Sequence, residues 1–287
     1  MRRLTFCLVV LVPALAYGQR HRDSRSWRVE DTEKIERTFT LSGGNGRQLL
    51  VDNIDGFVHV TGVPGSAVRV SVAKRIQAES DAAMAEAKRD VKLDLDQQGN
   101  RVRAFVDGPF RTGNGVNYRG DDYYGYRVTF DFEIQVPPDI ELVVKTVSGS
   151  IETRKTNGEF TVTGVNGGID MQEVSGAGTV RTVNGPVKVG FTKNPGKACE
   201  FRSVNGTLDV NFQPGLNADL QFRTMNGGVY SDFDVVTRPV AGSTQNVDGK
   251  FLYRVDRRNM TARTGSGGPE LKFDTVNGAI RLRSKGI

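Results

Sequence analysis

Val183-Asn184-Gly185-Pro186-Val187-Lys188-Val189 decides the fold, because the chain writes it again at Val204-Asn205-Gly206-Thr207-Leu208-Asp209-Val210 and at Val276-Asn277-Gly278-Ala279-Ile280-Arg281-Leu282. Shorter versions precede it. Ser148-Gly149, Asn157-Gly158, Asn166-Gly167, Ser175-Gly176 and Asn184-Gly185 stand nine residues apart, four times running. Asn205-Gly206 and Asn226-Gly227 follow at intervals of 21, Asn277-Gly278 comes 51 later, and Asp55-Gly56 is an earlier relative. Self-similarity at a fixed period is the mark of a repeat architecture.

The residues around each pair are ordered as well. Before it stand Val147, Val165, Val174, Val183, Val204, Met225 and Val276, with Thr156 departing. Two positions after the glycine stand Ile151, Phe160, Ile169, Val187, Leu208, Val229 and Ile280, with Gly178 the exception. Polar residues fill the positions between, so each unit has one apolar and one polar side. In a two-residue hairpin the residue before Asn pairs with the residue after Gly on one face. Here the apolar partner comes one step later, which in a hairpin would put it on the opposite face. The reading that resolves this makes each Asn-Gly a corner. The glycine tolerates positive φ, and the flanking apolar residues point into a shared core. Two nine-residue units then make one coil. The expected fold is all-β: a β-solenoid or β-roll-like repeat domain over 141–287, preceded by a β-rich region over 34–140. A two-sheet β-sandwich is the alternative.

The upstream region carries alternating strands at Arg37–Leu41, Gln48–Val51, Phe57–Val60, Val68–Val72, Val91–Leu95, Arg101–Val106 and Arg127–Val136. One helix is expected near 80–90, where Asp81-Ala82-Ala83-Met84-Ala85-Glu86-Ala87 follows a Ser80 N-cap. Residues 109–126 have a different texture, with four glycines and Tyr118, Tyr123, Tyr124 and Tyr126. This is a candidate contact loop, since Tyr suits interfaces and sugar faces.

The start of the chain reads as an address. Met1-Arg2-Arg3 is basic, Leu4 to Leu15 is apolar, and small residues close it by Gly18, the pattern of a secretory signal peptide over 1–18. Residues 19–33 read as a flexible, charged leader. Cleavage would remove Cys7 and leave Cys199 alone, so no internal disulfide is expected. No later stretch is long and apolar enough for a membrane helix.

The repeats at Val183–Val189, Val204–Val210 and Val276–Leu282 resemble the bacterial "putative adhesin" family of exported β-strand-repeat envelope proteins. So do the Ile54-Asp55-Gly56 unit, the Ala/Glu helix after Lys74, and the Val136-Pro137 strand end. The resemblance covers residues 34–287. It implies an exported protein of the cell envelope, in the periplasm, on the outer surface or secreted. It brings no catalytic residues.

Composition and motifs narrow the chemistry. Glycine is abundant, 34 of 287 residues, and 21 of those fall after residue 140. With 2 Cys and 2 His in the chain, no zinc cluster is expected. His59 sits in a strand and His21 in the leader, which offers no Ser-His-Asp triad. Gly190–Lys197 fails as a phosphate loop, with Ala198 where Ser or Thr belongs. Asn166-Gly167-Gly168-Ile169-Asp170 approaches a calcium-roll repeat, but Ile169 stands where the third glycine belongs and most other units lack the Asp. Asp52 with Asp55, or Asp121 with Asp122, could pair for glycoside chemistry, though carboxylates also serve as turn formers. The polar row Glu152, Thr161, Asp170, Thr179, Lys188 and Asp209 mixes charges without a clear site. A net charge of +6, dispersed along the chain, points to no nucleic acid. No catalytic, cofactor or metal residue is expected. The first functional expectation is a non-enzymatic adhesin or scaffold that binds an envelope polysaccharide or surface protein. The alternative is a polysaccharide-acting enzyme on the same scaffold.

Overall fold

The computed structural model describes residues 27–44, 46–112, 115–116, 124–238, 243–247, 250–254 and 259–285. The signal peptide expected over 1–18, most of the leader, and Tyr118, Tyr123, Asp121 and Asp122 lie outside them. Among the described residues the fold is all-β with one helix. Two large mixed sheets face each other and neither closes into a barrel, which fits the two-sheet alternative.

Across the first sheet the strands run β1 (Val29–Thr40), β4 (Ala67–Ala78), β9 (Tyr126–Val136), β3 (Val58–Gly62), β11 (Ile151–Arg154), β13 (Ile169–Val174), β15 (Val187–Phe191), β17 (Leu208–Phe212), β25 (Ile280–Ser284) and β19 (Val229–Ser231). Across the second they run β20 (Val235–Arg238), β23 (Asn259–Thr264), β18 (Ala218–Asn226), β24 (Glu270–Asn277), β16 (Cys199–Asn205), β14 (Gly178–Asn184), β12 (Phe160–Asn166), β10 (Glu141–Ser148), β2 (Gln48–Asp52), β6 (Arg101–Asp107) and β5 (Lys92–Gln98). Two small ribbons pair β7 (Arg111–Thr112) with β8 (Gly115–Val116), and β21 (Ser243–Val247) with β22 (Lys250–Arg254).

From β10 to β19 consecutive strands alternate between the two sheets; β10 to β15 each pair in parallel with the strand two further on, whereas β16 and β17 pair in parallel with β24 and β25, which in turn pair with β18 and β19. Phe160 lies opposite Gly178 and Ile169 opposite Val187, a step of two nine-residue units. Parallel neighbours exclude a hairpin at Asn-Gly, because a two-residue turn joins antiparallel strands. The extra residues of the 21-residue step sit between β15 and β16. There Asn194 Nδ2 donates to Gln213 O at 3.0 Å, and Gln213 N donates to Asn194 Oδ1 at 2.9 Å.

The inward positions form one core. Ile151, Ile169, Val187, Leu208 and Ile280 line the first sheet; Val162, Val180, Phe201, Phe222 and Phe273 line the second. Phe273 stacks between Phe201 and Phe222 with ring centroids 5.2 and 5.4 Å away, and Phe191 stacks on Phe212 at 5.3 Å. Burying a Phe or Leu side chain is worth about 1.5–3 kcal/mol. With Cys199 the only described thiol, this repeated burial replaces any staple.

Three readings change in the folded chain. Residues 29–33, expected in the leader, belong to the twelve-residue β1, paired along its whole length with β4. The boundary at 140 does not divide the core, since β2 pairs with β10 and β3 with β11, and Asp55-Gly56 stacks under Ser148-Gly149. The upstream region thus extends the parallel run of both sheets through β2 with β6 and β3 with β9, and antiparallel pairing of β5 with β6, β4 with β9 and β1 with β4 completes that end of each sheet. The helix α1 (Asp81–Asp90) begins at Ser80, whose Oγ accepts from Ala83 N at 3.2 Å. It buries Met84 and Ala87 against Ile76 and Ala78.

The third concerns the residue before each corner. At one edge of the stack Val147, Val165, Val204 and Val276 are only half-buried, and Val183 and Met225 are 38% and 48% exposed. At the other edge the same motif position holds Thr156 and Val174, both buried. The nine-residue repeat is thus one spelling for two corners of opposite facing, and the valines at the first edge point out, not into the core.

Candidate binding faces

The first edge is built from a four-residue unit: Thr146-Val147-Ser148-Gly149, Gly164-Val165-Asn166-Gly167, Thr182-Val183-Asn184-Gly185, Ser203-Val204-Asn205-Gly206, Thr275-Val276-Asn277-Gly278 and Thr224-Met225-Asn226-Gly227. Its asparagines form a ladder. Asn184 Nδ2 donates to Asn166 Oδ1 at 2.8 Å, Asn205 to Asn184 at 2.7 Å, Asn277 to Asn205 at 2.7 Å and Asn226 to Asn277 at 2.7 Å. The Ser or Thr two positions before the Asn donates to a glycine carbonyl of the neighbouring coil, as Thr182 Oγ1 to Gly167 O at 2.9 Å and Ser203 Oγ to Gly185 O at 2.9 Å. This hydroxyl is the part of the corner that the Asn-Gly spacing alone did not bring out. Its signal was in the sequence, as Ser or Thr in five of the six units.

Glycine is required here by close approach more than by dihedral angle. A Cβ on Gly167 would lie 2.0 Å from Gly149 O, one on Gly206 1.9 Å from Gly185 O, and one on Gly278 2.1 Å from Gly206 O. Positive φ, which glycine tolerates at these corners, occurs in this set at Gly149 (+132°) and Gly185 (+156°). At the second edge Gly158 and Gly176 stack in the same way, and Ser175 Oγ donates to Asn157 Oδ1 at 2.9 Å. The left-handed residues there are Lys155 and Glu173, both at φ 57°.

These edges lock the coils in register, so side chains at one repeat position form straight rows on each outer face, one strand spacing (~4.8 Å) apart. The mixed polar row read from the sequence separates into two. Glu152, Asp170, Lys188 and Asp209 lie on the first sheet in a row that continues through Arg281 at one end and through His59 and Glu133 at the other. Thr161 and Thr179 lie on the second sheet.

On the first sheet His59 stands between two carboxylates, with Nδ1 2.9 Å from Glu133 Oε1 and Nε2 3.8 Å from Glu152 Oε1. Its ring stacks on Phe57 at 4.2 Å. Asp170 is next in the row and accepts from Gln172 Nε2 at 2.5 Å. Glu133 also lines an open concavity of about 480 Å³ with Glu36, Arg69, Ser71, Thr61 and Gln135.

The second sheet presents Lys145, Thr163, Arg181, Arg202, Asp274 and Arg223 in one row, beside the outward Val147-to-Met225 stripe. Arg181 is bound to Glu200 at 2.7 Å, and Arg202 lies 3.8 Å from Asp274. At the upstream end Phe105 takes the guanidinium groups of Arg103 and Arg111 at 4.7 and 4.0 Å from its centroid.

The remaining candidates fall outside these rows. Asp52 accepts from Arg111 at 2.9 Å and Asp55 from Arg127 at 2.7 and 3.0 Å, so each holds a loop in place and the two do not form a carboxylate pair. Tyr124 and Tyr126 have centroids 5.6 Å apart. The Tyr126 phenol packs beside α1, where burial, then Glu86 and Asp90, pushes its pKa up to about 12. Cys199 is buried and burial raises its thiol to about 11. A thiol so raised is a poor nucleophile. Among the described residues no group of three or more His, Cys, Asp or Glu side chains could hold a metal ion, and no helix is long and apolar enough to cross a membrane.

No protein-family model and no curated protein matches the chain. Solved structures similar to it include the following three. A "putative cell adhesion protein" from Clostridium sporogenes has 11% identity and a TM-score of 0.40, covering 88% of this chain and 100% of its own. A "putative adhesin" from Bacteroides fragilis has 12% identity and a TM-score of 0.40, covering 88% and 97%. A "putative lipid binding protein" from Parabacteroides distasonis has 10% identity and a TM-score of 0.28, covering 87% and 96%.

Proposed function

We propose that this is an exported, non-enzymatic protein of the bacterial cell envelope, an adhesin or scaffold that holds a surface polysaccharide or protein on the outer faces of a flattened β-solenoid. The strand path supports the solenoid reading, since from Glu141 to Phe212 the chain passes from sheet to sheet and each strand lies parallel to the one two before or after it. The observation that carries the function is the alignment of outward side chains into rows, because an extended partner with its own repeat can meet a polar side chain at each strand spacing. The second-sheet row of Lys145, Arg181, Arg202 and Arg223 beside the valine stripe suits an anionic polymer with apolar faces. Export rests on the sequence of residues 1–18.

The purified chain lacking residues 1–18 is to be applied to a glycan array, and each bound glycan incubated and assayed for cleavage products. Binding without turnover, lost on replacing Lys145, Arg181 and Arg223 with Ala, is the expected result. Reproducible cleavage overturns it. The enzyme reading draws on one arrangement, the Glu133, His59, Glu152 and Asp170 sequence on adjacent strands. It requires that Glu152→Gln abolish the cleavage while leaving binding intact.

A further inference from the structure

The order of coils in space departs from their order in the chain. The coil β24–β25, from the end of the chain, lies between β16–β17 and β18–β19, which precede it in sequence. It enters a slot whose two walls carry the same corner. Asn277 donates to Asn205 and receives from Asn226, both at 2.7 Å, and Thr275 Oγ1 donates to Gly206 O at 3.0 Å. Inside, Phe273 is gripped by Phe201 and Phe222. All of these contacts join coil to coil and use groups that every copy of the chain carries.

The tie to the rest of the chain is short and glycine-rich. β23 pairs antiparallel with one side of β18 and β24 pairs parallel with its other side, so residues 265–269 cross over the start of β18. Gly265 and Gly267 hold φ of +56° and +80°, and Ser266 N donates to Asn217 Oδ1 at 2.8 Å. Drawn out, these five residues span about 17 Å, enough to carry the coil off its own β18. During synthesis the slot walls are complete before the coil that fills them has been made.

We propose that the C-terminal coil is exchangeable between copies, and that the slot between the Asn205 and Asn226 corners takes residues 270–284 of a second copy of this chain, giving a reciprocally swapped dimer. Domain swapping exchanges an identical element about a hinge and adds no new contact except at the hinge. The rival fate of an unfilled slot is closure of β18–β19 directly onto β16–β17, which the shared Thr/Ser-x-Asn-Gly corner allows.

Asn211 and Arg283 are register partners across β17 and β25 on the outer face, close enough for a disulfide. Differently tagged full-length Asn211→Cys and Arg283→Cys chains, all in a Cys7→Ser background, are to be unfolded, mixed, refolded together at high concentration and oxidised. The parent chain, whose Cys199 is buried, serves as background. A covalent heterodimer of twice the chain mass is expected. Removing Gly267 and Gly268 to shorten the crossing should raise its yield several-fold. The proposal fails if neither form gives the heterodimer while a chain carrying both substitutions closes the bridge within itself.

Discussion

Replacing Gly167 with alanine isolates the close approach that sets the corner. Its φ lies outside the left-handed region, so the new side chain brings no dihedral penalty, but its Cβ would sit 2.0 Å from Gly149 O and 2.6 Å from the carbonyl carbon. Real Cβ contacts do not fall under 3.0 Å, so backbone must separate by at least 3.0 − 2.0 = 1.0 Å. Four hydrogen bonds meet there: Gly149 N to Asn166 O at 2.9 Å, Gly167 N to Asn184 O at 2.9 Å, Asn184 Nδ2 to Asn166 Oδ1 at 2.8 Å and Thr182 Oγ1 to Gly167 O at 2.9 Å. Losing three of them at about 1 kcal/mol each gives a cost of ~3 kcal/mol, the upper end of ordinary overpacking at about 1–3 kcal/mol. At about 2–4 °C per kcal/mol for chains approaching this size, Tm should fall by roughly 6–12 °C. Urea titration followed by circular dichroism gives the free energy. Gly196→Ala is the control: its Cβ meets nothing within 4 Å and its φ is not left-handed, so it should change stability by less than about 1 kcal/mol. Equal stability of the two variants would refute the close-approach account of the glycine stack.

Further outcomes follow from the same geometry. Lys155→Gly should stabilise the chain by up to about 1 kcal/mol in the same titration, because it relieves a left-handed lysine that is exposed; a loss of stability would count against the strain. Asn184→Val removes two rungs of an exposed ladder and should cost about 1–2 kcal/mol, while Phe273→Ala, buried between two stacked rings, should cost about 3–5 kcal/mol. Asn184→Val costing more than Phe273→Ala would mean the edge outweighs the core. Tyr126 has a folded pKa raised from 10.0 to about 12, so its contribution is full below pH 10 and is lost as pH rises through 12. Unfolding free energies of Tyr126→Phe and the parent, measured from pH 9 to 12, should diverge above 10; parallel curves would show that the phenol does not titrate differently on folding.

Much of the core was legible in the repeats. Ile151, Ile169, Val187, Leu208 and Ile280 sit two residues after their glycines, and all five are buried. That follows from the period of two along a strand, which places a residue two beyond the corner on a predictable face. The residue before the corner was not legible, because whether it points in or out depends on which edge of the stack the corner occupies. Val174 and Val183 carry the same spelling and opposite burial. The outward rows were largely legible. His59, Glu152, Asp170, Lys188, Asp209 and Arg281 all stand three residues after a corner glycine, but their neighbour Glu133 comes from β9, which carries no corner.

The sequence by itself determined that the chain is all-β, that Asn-Gly and its relatives punctuate it, and where the one helix starts. These depend on local chemistry: alternation of apolar residues, a Ser N-cap, and a glycine wherever a side chain cannot fit. Only the tertiary structure decided which coil lies beside which. The Asn205, Asn226 and Asn277 corners are nearly interchangeable in spelling, so nothing local distinguishes the order Asn205–Asn277–Asn226 found in space from the order of the chain. That choice rests on the antiparallel β23 against β18 and the short crossing at 265–269, which direct the last coil into the slot instead of onto the end.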